Sequence, residues 1–307
     1  MTSRTVRIAT RGSQLAVWQA DHVRALLLLA HPALTIELVV ITTTGDRMLD
    51  TPLAKIGGKG LFIKELEQAL LDGLADLAVH SMKDVPVALP AALHIPVVLA
   101  REDPRDCLVA AHPLHALPLG AVVGTSSLRR RSQLLALRPD LVLRDLRGNV
   151  TTRLEKLARG DFDGIVLAHA GLRRLGLTAG VAACFEPHEM LPAVGQGVIG
   201  IECRRGDARI EALIAGLDDP CAHDAICAER ALNAALDGGC QVPVAGHAIV
   251  EEQMISIAGL VASSDGQRIV RAARTGPRGA AAALGAAVGQ ALLAAGAARL
   301  LAEIGAC

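Results

Sequence analysis

Aromatic side chains are almost missing from this chain: it has one Trp, three Phe and no Tyr in 307 residues. Alanine and leucine must therefore fill its cores, and a ligand held by stacking on side chains is not expected. Single-stranded nucleic-acid readers, which rely on aromatic platforms, are opposed on the same ground. Net charge is missing too, with 31 basic residues set against 31 acidic ones. That balance argues against a nucleic-acid coat or a basic membrane-surface protein. The seven cysteines are odd in number and contain no C-x-x-C pair, so no disulfide framework is expected. Cys221, His223 and Cys227 are close in sequence, but at helical pitch they point in different directions, and no metal is expected. The first basic residues run into an alternating strand instead of an apolar leader, which implies no signal peptide and a reducing cytoplasm. Ala280 to Ala298 is the most apolar late stretch; mostly Ala with Gly and Gln, it reads as too weakly apolar for a membrane span.

What is present begins with size. A chain of 307 residues exceeds one ordinary hydrophobic core, so two or three domains are expected. A hydrophobic share of 51% excludes a disordered protein. The charge, neutral in sum, is uneven in position. Residues 101–174 carry thirteen basic and eight acidic groups, whereas residues 175–307 carry nine and fourteen. Of the 31 basic residues only five are Lys. The Arg excess in part reflects composition, since the chain is also rich in Ala and Gly, but the central cluster is a matter of position. Arg presents a planar fork that fits a carboxylate or phosphate with two parallel bonds.

Strands and helices alternate through the first two-thirds. Val6–Ala9 and Leu34–Thr43 read as strands, with Ser13 as the N-cap of an intervening helix through about Leu29. A Gly- and Lys-bearing loop spans Gly45 to Gly60, and Leu61–Leu71 has helical spacing. Asp76–Val79 and Ile95–Leu99 are short buried strands. The pattern restarts with strands at Cys107–Ala110, Val122–Gly124, Leu141–Leu143 and Ile165–Ala168, and with helices at Ser126–Leu137 and Val150–Arg159. This βαβ order predicts mainly parallel sheets. Val198–Glu202 and the helix after it could return to the first sheet. After Asp219 come a helix from Ala222, three strand-like runs (Val242–Val250, Met254–Ala262, Arg268–Arg274) and a long Ala-rich helix, together a small α+β domain. The predicted domains are 1–100 with 196–218, 101–195, and 219–307. Two α/β lobes of this kind are expected to enclose a central cleft, with ligands beyond the carboxyl ends of the strands.

The loops at those ends carry the chemistry. Thr125-Ser126-Ser127-Leu128-Arg129-Arg130 opens a helix straight after a strand. Helix starts expose unpaired N–H groups and a positive dipole end, which suits an anion. N-capping by Ser126 or Ser127 accounts for one hydroxyl, and less well for three hydroxyls beside two Arg. Arg147 and Arg153 fall at the next strand–helix junction and Arg173 and Arg174 after the following strand. With Arg11, these put basic groups at successive strand ends, though any single one could be an ordinary surface residue. Val79-His80-Ser81-Met82-Lys83-Asp84-Val85-Pro86 ends a buried strand. There Asp84 is either a turn residue paired with Lys83 or a carboxylate able to stabilise a developing cation or move a proton. Lys55 and Lys59 lie in a Gly-rich loop whose spacing is wrong for a P-loop. Such a loop suits either a lid over an anionic site or a flexible surface. Gly238-Gly239-Cys240-Gln241-Val242-Pro243 sets a thiol just after a helix stop. The bare spacing gives only a modest reason to read that thiol as an attachment point.

Taken in order, these runs resemble the porphobilinogen deaminase family. The matching segments are Arg11–Gln19, Asp50–Lys64, Ala78–Pro86, Arg101–Asp106, Gly124–Arg130, Leu146–Asn149, Pro192–Gly197 and Gly238–Pro243. They span about 240 residues, in the family's order. The resemblance implies an α/β fold of two lobes like type II periplasmic-binding-protein domains, with a C-terminal α+β domain on a three-stranded antiparallel sheet. It implies a transferase that joins four porphobilinogen molecules head to tail, with loss of ammonia, onto a covalent dipyrromethane primer (one per chain), and then releases hydroxymethylbilane. By resemblance the primer is a thioether on Cys240 and the catalytic carboxylate is Asp84. The implied substrate- and cofactor-binding residues are Arg11, Ser13, Lys55, Lys59, Ser81, Lys83, Thr125, Ser126, Ser127, Arg129, Arg130, Arg147, Gly148, Arg153, Arg174 and Gln196. The substrate carries an acetate and a propionate, so a growing pyrrole chain gains two negative charges per unit, which fits the Arg clustering. No metal, nucleic-acid or membrane partner is expected, and the chain should be a monomer. An organic-anion receptor would suit two lobes with basic loops as well, but would leave Cys240 without a purpose.

Overall fold

The computed structural model describes residues 5–47, 63–237 and 242–305. The chain divides into two compact units, one made of residues 1–101 and 198–223, the other of 102–197 and 224–307.

In the first unit, strands β1 (Thr5–Arg11), β2 (Thr35–Ile41), β3 (Leu77–Ser81), β4 (Leu93–Val98) and β10 (Ile199–Arg204) form a sheet in the order β2-β1-β3-β10-β4. β1 runs parallel to β2 and β3, and β10 runs antiparallel to β3 and β4. Side chains alternate across the sheet, so both faces must be covered. Val6, Ile8, Leu77, Val79 and Ile201 meet Ala20, Val23 and Leu27 of helix α1 (Gln14–Ala30) on one face. Ala9, Ala78 and Leu93 meet Leu66 and Leu70 of α2 (Lys64–Leu71) on the other. Ser13 caps α1 as expected, its Oγ accepting from the Ala16 N–H.

The second unit opens with a sheet of the same plan. Its strands are β5 (Asp106–Ala110), β6 (Val122–Gly124), β7 (Val142–Arg144), β8 (Gly164–Ala168) and β9 (Val181–Cys184), in the order β7-β6-β8-β5-β9. β6 is parallel to β7 and β8, and β5 is antiparallel to β8 and β9. In each sheet the antiparallel strand is the one the chain lays down just after crossing from the other unit: β5 after β4, and β10 after β9. The helices of this sheet are α3 (Leu128–Leu137), α4 (Val150–Ala158) and α5 (His169–Arg174). The expected return of the 199–204 strand to the first sheet is present, and because it pairs antiparallel on both sides that sheet is evenly mixed instead of mainly parallel.

The remainder of the second unit is an antiparallel meander, β11 (Val244–Glu251), β12 (Met254–Ala262) and β13 (Ile269–Pro277). Between the sheets α6 (Ala208–Ile214) belongs to the first unit, and α7 (Pro220–Ala235) carries the unit boundary within it. The boundary falls after residue 223 because the preceding turn is tied to β4: the Val98 N–H donates to Asp218 Oδ1 at 2.8 Å, and the Asp219 N–H donates to the Val98 carbonyl at 2.9 Å. Helix α8 (Ala281–Leu292) packs with α7 on the meander through Ala228, Leu232, Val288 and Leu292. The 102–197 segment joins this module in one unit. Leu191 packs with Ala245, Leu260 and Ala262, and the buried Glu229 carboxylate accepts the N–H groups of both Gly195 and Ala248.

The C-terminal helix differs from its sequence expectation twice. It breaks at Gly296, where φ is 102°, before α9 (Ala298–Gly305). An 18-residue window within Arg278–Glu303 has a mean hydropathy of 1.6, which by length and composition alone would suffice to cross a membrane, whereas Ala280 to Ala298 reads as too weakly apolar for one. Here its Ala281, Val288 and Leu292 side chains lie in the core of the meander module.

Candidate active site

The strand ends of the first unit bring several expected residues into order. Arg11 closes β1 and is half-buried, with Ser13 two residues on. Ser81 closes β3 and bonds to Gln19 of α1, whose Nε2 donates to Ser81 Oγ at 2.8 Å. The chain then makes a short 3-10 turn through Met82, Lys83 and Asp84. Met82 anchors it: the side chain is buried, and its N–H donates to the Val198 carbonyl at 2.9 Å. Lys83 and Asp84 are half-buried. Among the described residues, no hydrogen bond or ion pair engages the Asp84 carboxylate. The turn reading of Asp84 required pairing with Lys83, and that pair does not form.

Behind the turn lies a buried acid cluster. His80 Nε2 and Glu202 Oε2 are 2.8 Å apart, both out of water. Glu67 of α2 is nearly buried, and burial followed by the nearby Glu202 charge pushes its carboxyl up. His80 is thus a packed, bonded core residue.

In the second unit Thr125, Ser126 and Ser127 divide their work. Thr125 Oγ1 accepts the Ser127 N–H at 3.3 Å. Ser126 Oγ donates to the Leu146 carbonyl and accepts the Leu146 N–H, at 3.1 and 3.0 Å. Ser126 therefore pins the Arg147 loop beside the start of α3. Ser127 occupies the N-cap position and makes no capping bond. The helix start is left open to an acceptor from outside.

Beneath it, Arg129 and Arg130 converge on Asp106. Arg129 Nη1 donates to Asp106 Oδ2 at 2.7 Å, and Arg130 Nε donates to Oδ1 at 2.9 Å. Gln196 Nε2 adds a third donor to Oδ1 at 3.1 Å and also donates to the Pro104 carbonyl at 2.6 Å. Burial alone would push the Asp106 carboxyl up, but the two guanidinium groups hold it well below the usual carboxylate range. Burial likewise lowers Arg130, against the pull of Asp106. The sequence reading gave Arg129 and Arg130 to ligand carboxylates. Their guanidinium groups already engage the protein's own acid, and the reason is burial: two guanidinium groups this far from water need an internal counter-charge. One carboxylate against two cations leaves a positive excess beneath an uncapped helix start, which favours an anion there. Gln196 Oε1 is buried and accepts no bond among the described residues.

Arg147, Gly148 and Arg153 form the next junction. Gly148 has φ +112°, and a Cβ there would lie 2.8 Å from the Thr152 side chain, so only glycine fits. Arg153 Nε donates to the Gly148 carbonyl at 2.8 Å, and Lys156 Nζ donates to the Arg147 carbonyl at 3.2 Å. Arg147 itself is half-buried, with no side-chain partner among the described residues. Arg174 ends α5, donates to the Gly197 carbonyl at 2.7 Å, and is lowered by burial to about 10, against the opposing charge of Glu102. Lys55, Lys59 and Cys240 lie outside the described residues.

Sequence reasoning missed two features. One is Asp106, which sits inside the quoted Arg101–Asp106 run but reveals its role only when Arg129, Arg130 and Gln196 meet it. The other is a group formed by Cys107, His169 and Cys184. The three positions first weighed for a metal, Cys221, His223 and Cys227, are not among the groups that gather ligand atoms.

Two α/β sheets of one plan, with an uncapped start at α3, basic groups at strand ends and an Asp84 carboxylate that makes no bond among the described residues, suit an enzyme that handles acidic organic substrates. Two family models match the chain: porphobilinogen deaminase, dipyromethane cofactor binding domain, over residues 6–212, and porphobilinogen deaminase, C-terminal domain, over residues 224–294. The chain belongs to the porphobilinogen deaminase family. It is a transferase of porphyrin biosynthesis with hydroxymethylbilane synthase function, acting on porphobilinogen with a dipyrromethane cofactor. Among solved structures, the chain is similar to the Bordetella pertussis BvgS VFT2 domain in its double-mutant form (16% identity, 68% of this chain and 84% of that one, TM-score 0.42). It is also similar to the Escherichia coli aliphatic sulphonate binding protein SsuA (18%, 76% and 70%, 0.41) and to the BenM effector binding domain with its effector benzoate (18%, 69% and 90%, 0.43).

Proposed function

We propose that Cys240 carries the dipyrromethane as a thioether, that Asp84 is the catalytic carboxylate, and that the basic strand ends hold the acidic side chains of cofactor and substrate. The observation that carries this reading is Asp84: a half-buried carboxylate on an anchored turn, with no partner among the described residues. An internal salt bridge would have occupied a purely structural acid.

The residues present fit the cofactor. Two linked pyrroles bearing acetate and propionate need several anion sites together with an acceptor for ring N–H groups. In the second unit the uncapped start of α3 at Ser127 and the Arg147 and Arg153 junction offer anion sites and the orphaned Gln196 Oε1 an acceptor; in the first unit Arg11 and Lys83 offer the former and Asp84 the latter. When bound, the dipyrromethane would supply a nucleophilic pyrrole carbon as a primer. Every other step falls to the chain. Arg11, Arg147, Arg153, Arg174 and Lys83 orient the substrate carboxylates. As ammonia leaves the substrate's aminomethyl carbon, positive charge spreads over its pyrrole, and the Asp84 carboxylate stabilises it. Arg129 and Arg130, held by Asp106, keep the helix start positive and in place. Ser13, Ser81 and Gly148 shape the loops that carry these groups.

Each condensation adds two carboxylates, so the basic groups must be numerous and mostly Arg, whose fork binds a carboxylate with two bonds. The proposal includes a cytoplasmic monomer that needs neither nucleic acid nor membrane, in keeping with zero formal charge and few aromatics. Intact-mass measurement of the purified enzyme tests the core of it. The mass should exceed that of the sequence by one dipyrromethane, and peptide mapping should place the adduct on Cys240. An active enzyme of unmodified mass, or an adduct on another cysteine, would overturn the assignment.

A further inference from the structure

Cys107 of β5 and Cys184 of β9 stand opposite one another at the edge of the second sheet, 77 residues apart in sequence. The Phe185 N–H donates to the Asp106 carbonyl at 2.9 Å. Antiparallel pairs alternate between those that exchange backbone hydrogen bonds and those that do not, so the Cys107–Cys184 pair is of the second kind. Such pairs bring Cα atoms to about 4.5 Å, their closest approach in a sheet. A disulfide spans Cα separations of about 4.4–6.8 Å. The two Sγ atoms are 2.6 Å apart, and neither cysteine is bonded to another.

The surroundings make the two thiols unequal. Cys107 is fully buried, and burial pushes its thiol up. Cys184 is half-buried on the edge strand. His169 Nδ1 lies 2.9 Å from Asp103 Oδ2 and 3.7 Å from Cys184 Sγ. Burial would raise Asp103, but its bonds to Arg105 and His169 hold it well below the usual range, so it is ionised. An ionised Asp103 requires the proton on His169 Nδ1. That N–H donates to Asp103 and, at the longer distance, also faces the Cys184 sulfur. His169, Cys107 and Cys184 could also be read as metal ligands, since their ligand atoms lie within 4.8 Å of one another. Zinc opposes this reading on geometry: bonds of about 2.3 Å to each thiolate would hold tetrahedral sulfurs about 3.8 Å apart.

We propose that Cys107 and Cys184 are a redox-active pair that forms a reversible intrachain disulfide, with a peroxide as oxidant. The Cys184 sulfur, the more accessible of the two, attacks one peroxide oxygen and becomes a sulfenic acid, while the other oxygen leaves as water with the thiol proton. The Cys107 sulfur then displaces the sulfenic hydroxyl, its own proton leaves with that hydroxyl as a second water, and the S–S bond closes. Two thiols lose two electrons and two protons, and one peroxide becomes two waters. The clamp joins β9 to β5 one residue beyond Asp106, the acid that holds Arg129, Arg130 and Gln196.

The test treats the purified holoenzyme with hydrogen peroxide, alkylates the remaining thiols under denaturing conditions, and maps the peptides by mass spectrometry. The expected result is a cross-linked peptide pair containing Cys107 and Cys184, a loss of two hydrogens from the intact mass, and full reversal by dithiothreitol. Cys184→Ser on its edge strand should reduce the cross-link to background, and Cys107→Ala should do the same while leaving Cys184 able to reach the sulfenic acid. Recovery of both cysteines in alkylated form after peroxide, or linkage of either to another cysteine, would overturn the proposal. So would stoichiometric zinc released from the untreated protein by a mercurial. None of these readouts depends on bilane synthesis, so the proposal stands or falls apart from the active-site assignment.

Discussion

Arg130 grips Asp106 with two nitrogens, Nε at 2.9 Å and Nη2 at 2.8 Å from the same carboxylate oxygen, and both side chains are buried. Arg129 takes the other oxygen through Nη1 and also donates to the first through Nη2 at 3.2 Å. Removing the shared acid would leave two buried guanidinium groups facing each other without a counter-charge. Asp106→Asn should therefore cost about 3–5 kcal/mol of stability, the range for breaking a buried ion pair from one side. Urea unfolding followed by circular dichroism measures it, and a change below about 1 kcal/mol would mean that water or another acid screens the pair. The pH dependence has a definite sign. A carboxyl held below its unfolded value contributes stability that is complete above about pH 4 and is lost as pH falls below it. The wild-type thermal midpoint should fall on acidification through this range, and the fall should be shallower in Asp106→Asn.

Asp84→Asn tests the reacting carboxylate at nearly constant shape. The side chain makes no bond among the described residues that the amide would break. Stability should stay within about 0.5 kcal/mol of wild type. Turnover should fall by about 10²–10³, the usual cost of losing one electrostatic stabiliser of a transition state. Steady-state bilane production and thermal melting, measured on the same preparation, separate the two. Near-normal turnover in a folded variant would remove Asp84 from the chemistry.

Glu67 gives the opposite pH sign to Asp106. Burial and the Glu202 charge raise its carboxyl, so protonation favours the folded state over the unfolded one. Its cost to stability is absent below the unfolded value, near pH 4, and grows as pH rises through the folded value. Glu67→Gln removes that cost and relieves the repulsion on Glu202, whose Oε1 is buried with no partner among the described residues. The variant should melt about 1–3 °C higher than wild type at pH 8, a gain of under about 1 kcal/mol, and the two should converge near pH 4. A lower melting temperature at pH 8 would mean that the ionised carboxylate is needed in place.

The sequence made the local elements plain and hid what depends on distant partners. Met254–Ala262 and Val122–Gly124 are strands with the bounds read from their β-branched and alternating residues. Ser13 caps its helix as its residue type and position suggest. Val181–Cys184 escaped notice because Val-Ala-Ala-Cys has no strand signature beyond one Val. It is a strand because β5 offers it an edge. The α5 helix, six residues from His169, was too short for periodicity to register. The strand-end basic groups were legible as a series, whereas the counter-charge of Arg129 and Arg130 was not. Asp106 lies 23 and 24 residues before them, and only the β5-β8 pairing brings it beneath α3. The Ala-rich end read as generic, because its information lies in how closely it can approach α7.

That approach gives the last prediction. A Cβ on Gly285 of α8 would lie 1.9 Å from the Ala228 carbonyl oxygen of α7, and one on Gly289 would lie 2.5 Å from the Ala235 Cβ. Two helices this poor in large side chains can fill space only by bringing their backbones together, so the glycines do the work that aromatic residues do elsewhere. On helix propensity alone, Gly→Ala within a helix should stabilise by about 1 kcal/mol. At Gly285 the backbone oxygen cannot move aside, and the sign should reverse, with Gly285→Ala destabilising by about 1–3 kcal/mol. Gly279 provides the control, since a Cβ there meets nothing within 4 Å. Gly279→Ala should be neutral. Thermal melts of the two variants beside wild type decide the matter. If Gly285→Ala melts at or above the wild-type temperature, α7 and α8 are not held together by close backbone contact, and the Ala-rich composition requires another explanation.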